Sequence, residues 1–181
     1  PWLELELRRS PFAVKLSEER LDNAQIGPLR LRVRVDRVDQ VEDGEVLIDY
    51  KTGAYSPSAW LSERPDEPQL PLYAALSNPE QLQGVAFGLV RAGEHLDLTG
   101  FEAAEGVLPH PAKMKEASSL DEQVNEWRHV LVKLATDFYD GDASVDPKRY
   151  PGTCNQCSQR TLCRLDVSQL QADSEAEADR G

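Results

Sequence analysis

Residues 29 to 36 read Leu-Arg-Leu-Arg-Val-Arg-Val-Asp, a strict alternation of apolar and charged residues. Only an extended strand with one buried face accommodates it, because successive side chains point to opposite sides of a strand. Leu29, Leu31, Val33 and Val35 then share the buried face, and Arg30, Arg32, Arg34 and Asp36 share the other. Glu42-Asp43-Gly44 marks a turn. The following Val46-Leu47-Ile48-Asp49-Tyr50-Lys51 is mostly apolar and β-branched, as in a more deeply buried strand. The two segments are expected to form a hairpin that brings Asp36 beside Asp49.

Further along, Thr52-Gly53 ends the second strand, and Ser56-Pro57 with Arg64-Pro65 marks an irregular loop. Asp66 and Gln69 have the spacing of a capping box for a helix over about 67 to 76. Gly84 to Val90 reads as a third strand, whereas residues 92 to 117 give no assignable pattern. A second capping box, Ser119 with Glu122, opens the clearest helix, 119 to 140. Leu120, Val124, Trp127, Leu131, Leu134 and Phe138 recur there at helical spacing, and Gly141 closes the run. Strands interleaved with helices predict an α/β fold, a small mixed sheet flanked by helices.

Of the 181 residues 40 % are apolar and 29 % charged, as in a soluble globular domain. No apolar run approaches the roughly 18 residues that span a bilayer. The opening Pro1-Trp2-Leu3-Glu4 carries no secretion signal and no initiator Met, as expected of a piece of a longer protein. The net charge of −12 argues against a protein that coats nucleic acid, since phosphate contacts draw on Lys and Arg. Beyond residue 165, five acids face one base, so the tail carries −4 of that charge. Residues 1 to 165 are read as one domain, and 166 to 181 as an acidic, disordered tail.

Side chains two apart on a strand point the same way, so Asp49 and Lys51 leave one face about 6 to 7 Å apart. Asp49 and Asp36, with the backbone carbonyl of Tyr50, are expected to form a hard-oxygen site suited to Mg²⁺ or Mn²⁺. The adjacent ammonium is placed to position a water and offset charge on a phosphoryl group. The plainer alternative is a solvated strand end with a salt-bridged pair. Asp39 is expected to pair with Arg37, and the Arg30, Arg32, Arg34 row is either a cation row for DNA phosphate or a solvated face.

The pattern Pro11-Phe12 … Glu18 … Asp36 … Gly44 … Ile48-Asp49-Tyr50-Lys51-Thr52-Gly53 … Gln69-Leu-Pro-Leu-Tyr73 resembles the RecB-like branch of the PD-(D/E)xK nucleases. More narrowly, it is similar to the C-terminal domain of AddB-like bacterial DNA-repair proteins, over about residues 10 to 165. The resemblance implies a restriction-endonuclease-like fold and a metal-dependent deoxyribonuclease, an exonuclease in repair or recombination, that leaves a 5′-phosphate. It implies Asp36 and Asp49 as metal ligands and Lys51 as the catalytic lysine. Glu18 takes the upstream acidic position, with Glu19 as competitor. Gln69 and Tyr73 match the family's Q-x-x-x-Y helix motif; being four apart they share a helix face and either serve the chemistry or pack the helix on the sheet. A helicase-like partner, DNA as substrate, no membrane and a cytoplasmic location follow from the same likeness.

Three cysteines, Cys154, Cys157 and Cys163, are too few and too odd in number for a disulfide framework and suggest thiolate ligands to one soft centre. The resemblance implies a [4Fe-4S] cluster whose fourth cysteine lies upstream, outside this chain, so that this piece alone need not carry it. Zinc completed by a histidine is the alternative, although His95, His110 and His129 lack ligand-like spacing, and a disulfide formed after purification is the remaining one. A catalytically inactive, nuclease-fold binding module of a helicase–nuclease complex is the competing function.

Overall fold

The computed structural model describes residues 2–91, 96–114, 119–159 and 162–163. It comprises two compact units, Pro1–Asp140 and Gly141–Gly181. In the first, a short helix α1 (Trp2–Glu6) precedes three strands: β1 (Ala13–Ile26), β2 (Leu29–Val41) and β3 (Gly44–Lys51). After a 3-10 turn (Pro57–Leu61) come helix α2 (Gln69–Leu76), β4 (Leu82–Leu89), β5 (Asp97–Glu102), β6 (His110–Pro111) and the long helix α3 (Leu120–Tyr139). The strands form one sheet in the order β1-β2-β3-β4-β5-β6. β3 and β4 run parallel, as do β5 and β6, and the other pairs are antiparallel. This is the mixed sheet with flanking helices of a restriction-endonuclease-like α/β fold. Among the described residues, no helix is long and apolar enough to cross a membrane.

α2 is the crossover that a parallel β3–β4 pair requires. Its buried Leu70, Tyr73 and Ala74 join Val33, Val35, Leu47, Val85 and Phe87 of the sheet and Leu120, Val124 and Trp127 of α3 in one core cluster. Trp60 sits at its centre, with ring centroids 4.3 Å from Phe87 and 6.0 Å from Trp127. The opposite face holds a second cluster, with Leu5 of α1 against Val46, Ile48, Ala86 and Leu98. β3 is therefore covered on both sides. Odd residues from Leu47 on point toward α2 and even residues toward α1, which sends Asp49 and Lys51 one way and Tyr50 the other.

Several expectations hold. β2 and β3 form the hairpin, α3 carries the Ser119–Glu122 capping box, and Gly141 follows it with a left-handed φ of +84°. Others need correction. α2 starts at Gln69 rather than 67, capped by Pro68 without any side-chain bond, so the Asp66–Gln69 capping box does not form. Glu67 adopts φ +51°, a left-handed conformation that cannot continue into a helix. The third strand runs 82–89, and the stretch without a pattern, 92 to 117, contributes β5 and β6. β1 was not anticipated at all. The tail, residues 166 to 181, and His95 lie outside the described residues.

Candidate metal-dependent active site

The β2–β3 ladder ends at Arg37 opposite Ile48. Upstream of it, residues 29 to 35 of β2 pair only with β1, so the two strands make an arm that projects past β3. Alternation in β2 also slips where the ladder ends: Val35 and Val38, three apart, belong to the same core cluster. Asp36 lies at this junction. Its Oδ2 accepts the backbone N–H of Tyr50 at 3.0 Å, replacing the ladder bond that the diverging strands no longer make. The Asp36 carboxylate is thus folded onto the Asp49-Tyr50-Lys51 segment.

Asp49 is 2 % exposed, and its Oδ2 is buried without a hydrogen-bond partner. Lys51 Nζ lies 2.9 Å from that oxygen, an ion-pair contact. The same ammonium is 3.3 Å from Glu67 Oε2. Burial raises the Asp49 pKa above the ordinary carboxylate value; Lys51 counters this, and the neighbouring charges of Asp36 and Glu67 add to it. Burial alone would lower the Lys51 pKa, but Asp49 and Glu67 outweigh it and hold the amine more firmly protonated. A buried carboxylate oxygen with a free lone pair, a second carboxylate beside it and a nearby carbonyl suit a hard divalent ion. Among the described residues, however, no three His, Cys, Asp or Glu side chains converge as a full ligand set. Two carboxylates still fit Mg²⁺, which keeps several waters of its own.

On α2, Gln69 Nε2 donates to Tyr73 Oη at 2.9 Å, and the Tyr73 hydroxyl donates to the Arg34 carbonyl. The pair pins the helix to the projecting arm. Tyr73 is 5 % exposed, and burial raises its pKa, with the charges of Asp49 and Asp36 adding to the effect. Tyr73→Phe is expected to lower stability by about 1 kcal/mol, the worth of one such bond, measurable by urea denaturation. A groove of about 600 Å³ adjoins the site, lined by Arg34, Glu67, Gln69 and Tyr73 together with apolar residues such as Leu72 and Leu131.

A sequence model of the PD-(D/E)XK nuclease superfamily matches residues 2–164. The chain belongs to the PD-(D/E)XK nuclease superfamily. No curated protein compared with it gives a significant match.

Within this PD-(D/E)XK domain, Asp36, Asp49, Tyr50, Lys51, Gln69 and Tyr73 come together around the end of β3. Glu18 does not join them. It sits on β1 with φ +55°, and its carboxylate is 2.6 Å from Arg34 Nη2. The side chain of Glu19 lies outside the described residues. Arg32 is 3.0 Å from Asp22, and Arg30 is exposed opposite Gln25, so the row lies along the two-stranded arm with two of its three cations ion-paired. His110 pairs with Asp97 at 2.6 Å, and His129 is exposed on α3.

Sequence reasoning missed two features. One is Glu67, treated only as the start of a helix; its signal was an acid two residues before the Gln of the Q-x-x-x-Y motif. The other lies behind the site. Asp39, fully buried, accepts from Arg37 Nε at 2.6 Å, as anticipated, but also from Arg9 Nη1 at 2.7 Å. Arg37 Nη1 further donates to Glu6 at 2.7 Å and to Tyr50 Oη at 2.9 Å. Burial opposes the Arg37 cation, yet these acceptors outweigh it and raise its pKa. The Tyr50 ring packs edge-on against Trp2 over Gly88, where a Cβ would stand 2.7 Å from the ring.

In the second unit, α4 (Gly152–Asn155) carries Cys154. All three thiols are free; Cys157 Sγ accepts from Gln159 N at 3.4 Å. Cys154, Cys157 and Cys163 do not converge as a ligand group among the described residues.

Proposed function

We propose that this chain is a Mg²⁺- or Mn²⁺-dependent deoxyribonuclease domain, an exonuclease that hydrolyses DNA phosphodiesters in repair or recombination. The observation that carries the reading is the buried, unsatisfied Asp49 Oδ2 beside Lys51, with the Asp36 carboxylate folded onto the same segment. Asp36, Asp49 and the Tyr50 carbonyl hold the ion. When bound, such an ion would supply polarisation of a water and neutralisation of charge on the phosphoryl oxygens. Lys51 orients the attacking water and offsets negative charge that builds in line with it. Gln69 directs that water through its side-chain carbonyl, its amide being given to Tyr73 and Arg34, while Tyr73 fixes the helix that carries it. Glu18 acts through Arg34, holding the arm on which Arg30, Arg32 and Arg34 meet the DNA backbone.

The wider setting belongs to the same proposal: an AddB-like repair protein, cytoplasmic, working with a helicase-like partner, in which the Cys154, Cys157, Cys163 trio and a further thiolate hold a [4Fe-4S] cluster. Iron content and visible absorbance of anaerobically purified protein test the cluster. Degradation of linear DNA with Mn²⁺ or Mg²⁺, lost in Lys51→Ala by at least about a hundredfold, tests the nuclease. The net charge of −12 and the two-carboxylate ligand set favour one other reading, an inactive binding module. Complete protein that cuts no DNA under these conditions, yet binds it unchanged after Asp49→Ala, would select that reading.

A further inference from the structure

We infer that Glu67 is a positioning residue that receives Lys51 from Asp49 when a divalent ion binds. The inference rests on the ion site proposed above. The Lys51 ammonium is within reach of two carboxylates, 2.9 Å from Asp49 Oδ2 and 3.3 Å from Glu67 Oε2. The Asp49 side chain is 2 % exposed and that of Glu67 is 43 % exposed, so the first pair is internal and the second faces solvent.

The oxygen that Lys51 neutralises is fully buried and takes no other partner, which makes it a fitting ligand atom for a cation. An ion and an ammonium cannot share it without strong repulsion between like charges at short range. Lys51 must therefore move off Asp49 as the ion arrives. Glu67 Oε2 is already only 3.3 Å from Nζ, so a small rotation of the lysine side chain exchanges one partner for the other and leaves no charge unpaired.

The backbone supports this placement. Glu67 is held at φ +51°, in a region that non-glycine residues enter at a cost, and directly before Pro68 and α2. That conformation presents the carboxylate toward β3 from a loop end that the helix, pinned by Tyr73, keeps fixed. The handover leaves Lys51 beside the ion but tethered away from its ligands, where an attacking water or a phosphoryl oxygen is to be met.

The test reads Mn²⁺ binding to the intact protein without DNA, by the electron paramagnetic resonance signal of free Mn²⁺. Glu67→Gln is expected to weaken binding about two- to fivefold, the scale of a half-exposed ion pair, because Lys51 then has no second partner. In a Lys51→Met background the same substitution is expected to change affinity by less than about half as much on the free-energy scale, since the group handed over is gone. Lys51→Gln serves the same purpose if Lys51→Met is poorly folded by circular dichroism. An undiminished Glu67→Gln effect in that background would make Glu67 a direct ligand or a distant field and overturn the inference. So would unchanged binding in the single variant. If Asp49→Asn also leaves Mn²⁺ binding unchanged, the ion site itself is wrong; if it alone abolishes binding, only the handover fails.

Discussion

Asp49→Asn is expected to reduce DNA cleavage by at least about a thousandfold, roughly 4 kcal/mol of transition-state stabilisation, while the ion-free protein loses no stability. The first effect follows from losing the charged ligand at a fully buried carboxylate oxygen that has no hydrogen-bond partner beyond the Lys51 ion pair. The second follows from the sign of its pKa shift. Burial raises the Asp49 pKa in the folded protein, more than Lys51 lowers it. A carboxyl that binds its proton more tightly when folded makes the ionised form a net cost at neutral pH, and the wild type gains stability as the pH falls through that raised pKa toward the unfolded value. Asn removes the ionisation. Thermal melts in a chelator should therefore place the variant at or above the wild type at pH 7, with the difference shrinking on acidification. A variant that melts well below the wild type, or that still cuts DNA at a comparable rate, would mean that Asp49 serves packing and not an ion. Functional sites often carry local instability of this kind, which the rest of the fold offsets.

How much of this was legible in the sequence depends on how each element advertises itself. The β2–β3 hairpin and α3 did so fully, through period-two alternation and a capping box that the structure keeps. β1 did not. Its sequence, Ala-Val-Lys-Leu-Ser-Glu-Glu-Arg-Leu-Asp-Asn-Ala-Gln-Ile, has two register shifts against β2 and a left-handed Glu18, so no face of it repeats every second residue. β5 and β6 are held by pairing to β4 and to each other rather than by any local pattern. At the site, the neighbourhood of Asp36, Asp49 and Lys51 follows from one strand and one turn. Spacing marks Glu67 only as an acid near the Q-x-x-x-Y motif; its place beside Lys51 depends on the left-handed backbone it adopts directly before Pro68 and α2. Parity alone places the Arg row on the side of Asp36, but the alternation slips at that residue, so the row runs along the two-stranded arm, where Arg32 and Arg34 pair with Asp22 and Glu18 of the neighbouring strand.

The network behind the site yields the larger stability prediction. Asp39→Ala is expected to destabilise the protein by about 3 to 5 kcal/mol, because it strands the buried Arg9 guanidinium and takes a carboxylate from that of Arg37 instead of deleting a neutral pair. Arg37 keeps Glu6 and Tyr50 as acceptors, whereas Arg9 loses its Asp39 bond while its Nε and Nη2 are already buried without partners. The Phe12 ring, 4.2 Å from the Arg9 guanidinium carbon, compensates only in part. A fall in Tm of roughly 10 °C or more is the expected reading, and one under about 2 °C would show that the pairs carry little. Arg9→Met with Asp39→Leu, which removes charge on both sides and preserves bulk, should recover much of the loss. Recovery of stability should not bring full recovery of ion binding. Arg37 would then be left with Glu6 and Tyr50 but without the carboxylate that fixes its plane through Nε and Nη2. Tyr50 lies between Asp49 and Lys51 and gives its N–H to Asp36, so a looser Arg37 reaches both proposed ligands through one residue. A double variant that is stable yet binds Mn²⁺ more weakly than the wild type separates this alignment from plain support of the fold; equal affinity would reduce the network to support alone.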